Sequence, residues 1–178
     1  MKYWLSLLMM GAFIPLSVSA ANAPSQQKVI REVVVKADVN NVWGLVKNFG
    51  ALHQWHPMIE GTSLEMRKDD AGVDVQHRLL KLKAGGKILE KLGAVVDEEM
   101  KLEYRIVEGD IPVSGYRAIM QVKAGPAAGE STLTWTGRFY NKANDVHAKP
   151  GEDNEAAVKV IEAFYDAGLP AFKKNIEK

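Results

Sequence analysis

The sequence predicts an α+β fold in which a curved antiparallel sheet of about seven strands wraps around a long C-terminal helix, with two short helices after the first strand. Three observations support this prediction. Residues 28–140 hold β-rich segments that recur between turns, a pattern typical of an antiparallel meander. One helical interruption, near residues 42–55, follows the first of these segments. Residues 155–178 then form a helix with a single apolar stripe, and such a stripe needs a sheet to cover it.

The first twenty residues are predicted to be an export signal outside the fold. Lys2 gives the chain a positive end, and residues 4–14 form an apolar run too short to span a bilayer. Small side chains at Val18-Ser19-Ala20 suit signal peptidase, so we expect cleavage after Ala20 and a periplasmic location without a stable membrane anchor. An uncleaved membrane anchor is the alternative.

Composition excludes several classes of function. Of 178 residues, removal of the first 20 leaves 158, enough for one domain, which we place at 28–178 after a mobile leader at 21–27. The mature chain has 22 basic and 22 acidic side chains, a balance that argues against nucleic acid as the main partner. The absence of cysteine excludes an iron–sulfur cluster, a covalently attached haem and a thiol nucleophile. We expect no cofactor.

The first strand leads into two short helices and a rigid corner. Residues 28–37 alternate β-branched and charged side chains, as a half-buried strand does. Residues 42–46 carry apolar side chains at helical spacing, and either Asp38 or Asn40 suits the cap of that helix. Because a proline confines the preceding residue to extended backbone, Trp55-His56-Pro57 should form a fixed corner with its aromatic ring turned inward.

The remaining strands are predicted from alternating patterns between turn sequences. The turns are rich in glycine, proline and acidic residues, as at 69–72, 84–86 and 125–129. The strands are expected at residues 62–68, 73–83, 87–96, 101–107, 115–123 and 131–140.

The last segment is an amphipathic helix. Its apolar side chains recur every three to four residues and should lie against the sheet; they are Ala157, Ile161, Phe164, Tyr165, Leu169, Phe172 and Ile176.

This order of elements, together with several local sequences, resembles the SRPBCC superfamily, whose helix-grip fold is shared by START domains, plant pathogenesis-related allergens and polyketide cyclase/dehydrase-like proteins. The matching segments span nearly the whole mature chain, although Pro170 departs from the usual unbroken last helix. They are Val42-Trp43, Phe49-Gly50, Trp55-His56-Pro57, Gly86-Lys87-Ile88-Leu89-Glu90-Lys91-Leu92, Tyr104-Arg105-Ile106, Pro112-Val113-Ser114-Gly115-Tyr116, Thr134-Trp135-Thr136-Gly137 and Gly168-Leu169.

The resemblance implies a pocket between the concave sheet and the last helix. The short helices, the loop near Pro112 and the loop before the last helix should rim it. The residues expected to line it are Trp43, Trp55, His56, Tyr104, Tyr116, Trp135, Phe139, Phe164 and Tyr165. With its export signal, the chain further resembles the MxaD-type branch, which implies a role in assisting a periplasmic quinoprotein (methanol) dehydrogenase and its cytochrome c.

Three residues are candidates for proton transfer if the protein is an enzyme: His56, Glu90 and Tyr116. His56 could act as a general base, but a histidine packed against Trp55 with its ring nitrogen bonded to backbone is the commoner outcome. Glu90 should point inward, either as an acid with a raised pKa or as the partner of Arg78 or Arg105 in a structural ion pair. His53 and His56 lack a third ligand nearby, so no metal site is predicted.

Charge is segregated along the meander, with a basic stretch around residues 78–91 and an acidic one around 97–110. Cross-strand ion pairs are one explanation, and a basic face for an acidic protein partner is the other. Taken together, the sequence predicts an exported, non-catalytic accessory protein with a hydrophobic pocket. A polyketide cyclase or dehydratase-like enzyme and a carrier of a small hydrophobic ligand or lipid are the alternatives.

Overall fold

The structure is a computed structural model that describes residues 24–178. The predicted export signal and residues 21–23 of the predicted leader therefore lie outside the described residues. Seven strands and three helices follow one another as β1 Gln27–Val35, α1 Val39–Val46, a 3₁₀ turn Phe49–Ala51, α2 Leu52–Trp55, β2 Ile59–Lys68, β3 Asp74–Leu82, β4 Lys87–Val96, β5 Lys101–Gly109, β6 Val113–Ala124, β7 Ser131–Asn141 and α3 Asn154–Ile176.

The strands form one antiparallel sheet in the order β1-β7-β6-β5-β4-β3-β2. From β2 to β7 each strand pairs with the next one along the chain, which is the predicted meander. The first strand closes the sheet at the far side by pairing with β7, from Gln27 opposite Phe139 to Val35 opposite Ser131. The predicted fold class is confirmed.

Helix α3 covers the concave face of the sheet and packs mainly on β1 and β7. It begins where Asp153 caps it, accepting a hydrogen bond from the Ala156 amide, and it continues through Pro170 to Ile176. Arg31 of β1 ties the two elements together by donating to Glu162 and Asp166 of α3, each at 2.8 Å.

The short helices close one end of the space between the sheet and α3. Asp38 caps α1 through the amide of Asn40, which settles which of the two residues is the cap. His56 ends α2 with φ −85° and ψ 117°, the extended backbone expected before Pro57. None of the helices within residues 24–178 combines the length and the hydrophobicity that a membrane span requires.

Candidate functional site

A cavity of about 250 Å³ lies between the first half of α3 and the part of the sheet formed by β3 and β4. The Pro57 corner, the β3–β4 turn and Ile111 before β6 complete its wall. The wall is almost entirely aliphatic and aromatic; its residues are Pro57, Met58, Leu82, Lys83, Ala84, Ile88, Glu90, Ile111, Val160, Ile161 and Phe164. Lys83, at the exposed turn, and Glu90, in mid-strand, are its charged members.

Glu90 is buried in the wall of the cavity and forms an ion pair with Arg78, directly opposite it on β3. Alternation along β4 turns Ile88 and Glu90 inward, as the sequence predicted. Burial raises the pKa of Glu90, and the charge and hydrogen bond of Arg78 partly offset that rise. The bond uses Oε2, which leaves Oε1 available to a donor in the cavity.

Arg78 is held from several sides. Its Nη1 donates to the backbone carbonyl of Phe49 at 2.7 Å. Its guanidinium carbon lies 4.1 Å from the centre of the Phe49 ring and 4.7 Å from that of Tyr104, which are cation–π distances. Nη2 is buried without a hydrogen-bond partner among the described residues. The arginine therefore fixes the position of the Glu90 carboxylate.

His56 has no nitrogen free for proton transfer. Its Nδ1 accepts from the Met58 amide at 3.2 Å, so the other nitrogen, Nε2, carries the hydrogen and donates to the Phe164 carbonyl at 3.0 Å. Burial, which outweighs the bond to Phe164, lowers its pKa to about 4. The Phe164 ring stacks on the imidazole at 3.8 Å between centroids and also lines the cavity. His56 is thus a neutral structural residue beneath the cavity wall.

Most of the predicted pocket residues form a filled aromatic cluster instead. Trp135 stacks on Tyr165 at 4.4 Å between centroids, and Trp55 meets Phe172 edge-on at 5.1 Å. Phe139 stacks on Tyr116 at 6.1 Å. Each of these side chains is at most 7% exposed, and none lines the cavity. We call this set, Trp55, Tyr104, Tyr116, Trp135, Phe139, Tyr165 and Phe172, the aromatic cluster.

The polar atoms of the aromatic cluster bond to one another. The Trp135 indole donates to the Tyr104 hydroxyl at 2.9 Å, and the hydroxyls of Tyr116 and Tyr165 are 2.7 Å apart. Burial raises the pKa of all three tyrosines well above its ordinary value. Tyr116, a candidate proton donor, is therefore a neutral core residue whose hydroxyl is already engaged.

Comparison with known proteins identifies a family that agrees with the fold described above. Residues 26–177 match the family model described as polyketide cyclase/dehydrase and lipid transport. The chain belongs to this family. No curated protein matches it. The resemblance to the SRPBCC superfamily is thereby confirmed at the level of the family, whereas the MxaD-type branch stays a prediction.

Several proteins of known structure share the fold. The protein XoxI from Bacillus cereus is 25% identical, with 84% of this chain and 94% of that chain covered and a TM-score of 0.66. A START superfamily protein from Mycobacterium smegmatis is 16% identical, with 84% and 97% covered and a TM-score of 0.61. The Zhui aromatase/cyclase from a Streptomyces species is 17% identical, with 86% and 94% covered and a TM-score of 0.63.

The structure places the nine predicted pocket residues of this family member in four different surroundings. Phe164 lines the cavity. Trp43 lies apart, with its indole donating to Asp97 at 2.7 Å beside the β4–β5 turn. His56 lies behind Phe164, and the other six belong to the aromatic cluster. Large aromatic rings bury the most area when they pack against one another, so they fill the interior and leave little space beside them.

Sequence reasoning missed most of the aliphatic wall. The sequence places Ile161 in the apolar stripe of the last helix and Ile88 in a segment that resembles the SRPBCC superfamily, and it assigns neither to the cavity. The loop near Pro112 contributes Ile111 as expected, whereas no residue of 142–153 lines the cavity. His53, the other half of the histidine pair, is exposed and bonds to the Gly50 carbonyl at 3.1 Å. Within residues 24–178 no group of potential metal ligands comes together.

Proposed function

We propose that this protein binds a small, largely apolar molecule in the cavity under α3 and holds it without changing it chemically. The observation that carries the proposal is the cavity itself, an apolar wall with one buried carboxylate, Glu90, oriented by Arg78. Ligand sites are commonly apolar hollows with a few fixed polar groups that orient the ligand.

The wall suggests the chemistry of the ligand. Ile88, Ile111, Val160 and Ile161 offer only dispersion and hydrophobic contact, which suits a hydrocarbon or aromatic body. Glu90 Oε1 suits one hydrogen-bond donor, such as a hydroxyl or an amine. A volume of about 250 Å³ is below the ~300–1,000 Å³ typical of drug-sized ligands, so we expect a small molecule and not a whole two-chain lipid.

Binding without turnover is favoured by the state of the three candidate catalytic residues. His56 has both nitrogens engaged, Tyr116 bonds to Tyr165 away from the cavity, and Glu90 is held by Arg78. Proton transfer needs a group within hydrogen-bond reach of the substrate and free to change its protonation state. Of the three, Glu90 alone lines the cavity.

Native mass spectrometry of the purified protein, followed by titration with aminoanthracene, tests the proposal. Aminoanthracene is a flat, apolar, fluorescent molecule with one amine for Glu90. We expect saturable binding and loss of at least roughly tenfold in affinity for Val160→Trp, whose ring would occupy the cavity. The control is Val95→Trp, because Val95 is exposed and lines none of the cavity. Equal affinity for both variants would place the ligand elsewhere.

A cyclase or dehydratase-like activity is the second candidate, and one observation favours it. Glu90 combines a position in the cavity wall with a pKa raised by burial, as a general acid requires. Glu90→Gln separates the two functions, because the amide can still accept a hydrogen bond but cannot transfer a proton. Retained aminoanthracene binding with lost turnover of a polyketide substrate would identify an enzyme.

We also propose that the protein acts after export and assists a periplasmic quinoprotein dehydrogenase and its cytochrome c. Export is supported by the sequence of residues 1–20, and the accessory role by the MxaD-type resemblance alone. N-terminal sequencing of the periplasmic protein should begin at Ala21. Deletion of the gene should slow periplasmic methanol oxidation, and an unchanged rate without a dehydrogenase in pull-downs would remove the accessory role.

A further inference from the structure

A row of basic side chains crosses the outer face of the sheet. Direct pairing places Lys28 of β1 opposite Arg138 of β7, Arg138 opposite Arg117 of β6, Arg117 opposite Arg105 of β5, and Arg105 opposite Lys91 of β4. We call these five residues the basic row. With strands about 4.8 Å apart, the row extends over about 19 Å.

The basic row faces away from α3 and the cavity. Side chains alternate between the two faces of a strand, and the sequence neighbours of the row are buried on the inner face: Val29, Gly137, Ala118 and Tyr104. Lys28, Arg105, Arg117 and Arg138 are exposed, and Lys91 is partly buried. The row is therefore a feature of the surface and plays no part in the core.

Like charges directly opposite one another on neighbouring strands destabilise a sheet. Lys91 has one distant acidic partner, Asp69, at 3.8 Å. Among residues 24–178 the other four members form no ion pair. Four cations in consecutive register, none of them in an ion pair, repel one another, and an anionic partner would reduce that repulsion.

The surroundings of the basic row favour one class of partner. Grooves of about 410 and 470 Å³ on either side of Lys91 and Arg105 give the row concave edges that a side chain can enter. Arginine forks pair with carboxylates in two parallel hydrogen bonds. Asp69 lines both grooves and Glu103 lines the 410 Å³ groove, so acidic side chains flank the row and the positive strip is narrow. A narrow strip suits one extended acidic chain better than the broad phosphate surface of a duplex or membrane.

We propose that the basic row is a docking surface for an acidic, extended segment of another protein. The segment would lie across the strands with its carboxylates over Arg105, Arg117 and Arg138. This surface is on the opposite side of the sheet from the cavity, so it is independent of the proposed ligand site.

A labelled polyglutamate peptide of about ten residues is the probe. We expect the wild type to bind it at low ionic strength. The triple variant Arg105→Gln/Arg117→Gln/Arg138→Gln should lose at least roughly tenfold in affinity. The control variant Lys36→Gln/Lys159→Gln/Lys174→Gln removes three exposed cations outside the row and should bind like the wild type.

A stability measurement separates docking from a structural role. Because the row repels itself, the triple variant should unfold at a higher urea concentration than the wild type at low ionic strength, even as it loses the peptide. Equal losses of affinity in the triple and control variants, absence of peptide binding, or tighter binding of duplex DNA or phosphatidylglycerol vesicles than of polyglutamate would each overturn the proposal.

Discussion

The two halves of the space under α3 are filled to very different degrees. Toward β1 and β7, the aromatic cluster leaves no room for another atom: a methyl group on Gly168 would lie 2.6 Å from His56 Cδ2. Toward β3 and β4, the aliphatic side chains of Ile88, Val160 and Ile161 stop short of one another and leave a cavity of about 250 Å³. The filled half therefore carries most of the packing that fixes α3.

Arg78 lies at the boundary between the halves, touching Phe49 and Tyr104 on one side and Glu90 on the other. Arg78→Met should lower the free energy of unfolding by about 3–5 kcal/mol, because it leaves the Glu90 carboxylate buried without its partner. Urea denaturation measures the loss. The double variant Arg78→Met/Glu90→Leu should recover most of it, and a double variant as unstable as the single one would show that the guanidinium acts mainly through its aromatic contacts.

The filled half should also make stability depend on pH. The pKa of His56 is about 4 in the folded protein and ordinarily 6.5. Between these two pH values the unfolded chain binds a proton on His56 and the folded protein does not. The contribution of His56 to the free energy of unfolding is therefore largest above pH 6.5. It falls by about 3 kcal/mol as the pH drops toward 4. Urea midpoints across this window, for wild type and His56→Gln, measure the effect. Glu90 contributes equally to both proteins, so parallel pH profiles would contradict the assignment.

A single methyl group distinguishes a filled site from an open one. Gly168→Ala places Cβ against the ring of His56 and should cost about 1–3 kcal/mol from overpacking, although alanine is the better helix former. Gly44→Ala is the matched control, since it is also helical and has nothing within 4 Å of the new Cβ. The control should gain about 0.5–1 kcal/mol. Thermal unfolding of both variants measures the difference. Equal changes in unfolding temperature for Gly168→Ala and Gly44→Ala would show that the site around Gly168 is not tightly packed.

The smallest effect is expected in the open half. Val160→Leu adds a methylene to the cavity wall and should change the free energy of unfolding by less than about 1 kcal/mol, since the space to receive it exists. Chemical denaturation is again the measurement. A loss as large as that of Gly168→Ala would mean that the cavity is closed in solution.

The difference between the filled and the open half also explains which parts of the fold and of the site could be predicted from the sequence. Strand alternation and helical spacing report which side of an element faces inward, so β4, β7 and α3 were predicted almost to the residue, and Glu90 was correctly turned inward. These patterns do not predict which inward-facing side chains pack against one another and which line a cavity. Trp135 and Ile161 are both inward-facing and apolar, and only the distances between elements decide that the first is packed and the second lines a cavity.

Two further details lay beyond the sequence for physical reasons. The bond from His56 to the Phe164 carbonyl joins positions 108 residues apart, so the tautomer of the ring depends on where α3 rests. The basic row depends on register across five strands, and a shift of one residue in any of them would break it. The sequence showed basic residues near 78–91, yet of that stretch Lys91 alone belongs to the row, and Arg78 points inward to Glu90.

The pairing of β1 with β7 determines when the first strand can fold during synthesis of the chain. β1 lies at the edge of the sheet, so β7 is its one strand neighbour within the described sheet, and that neighbour begins about a hundred residues later. Contacts between distant parts of a chain form slowly, because a large loop must close first. A nascent chain that still lacks β7 and α3 therefore lacks the main contacts of its first strand, and β1 can be fixed in place only after residues 131–176 have been made.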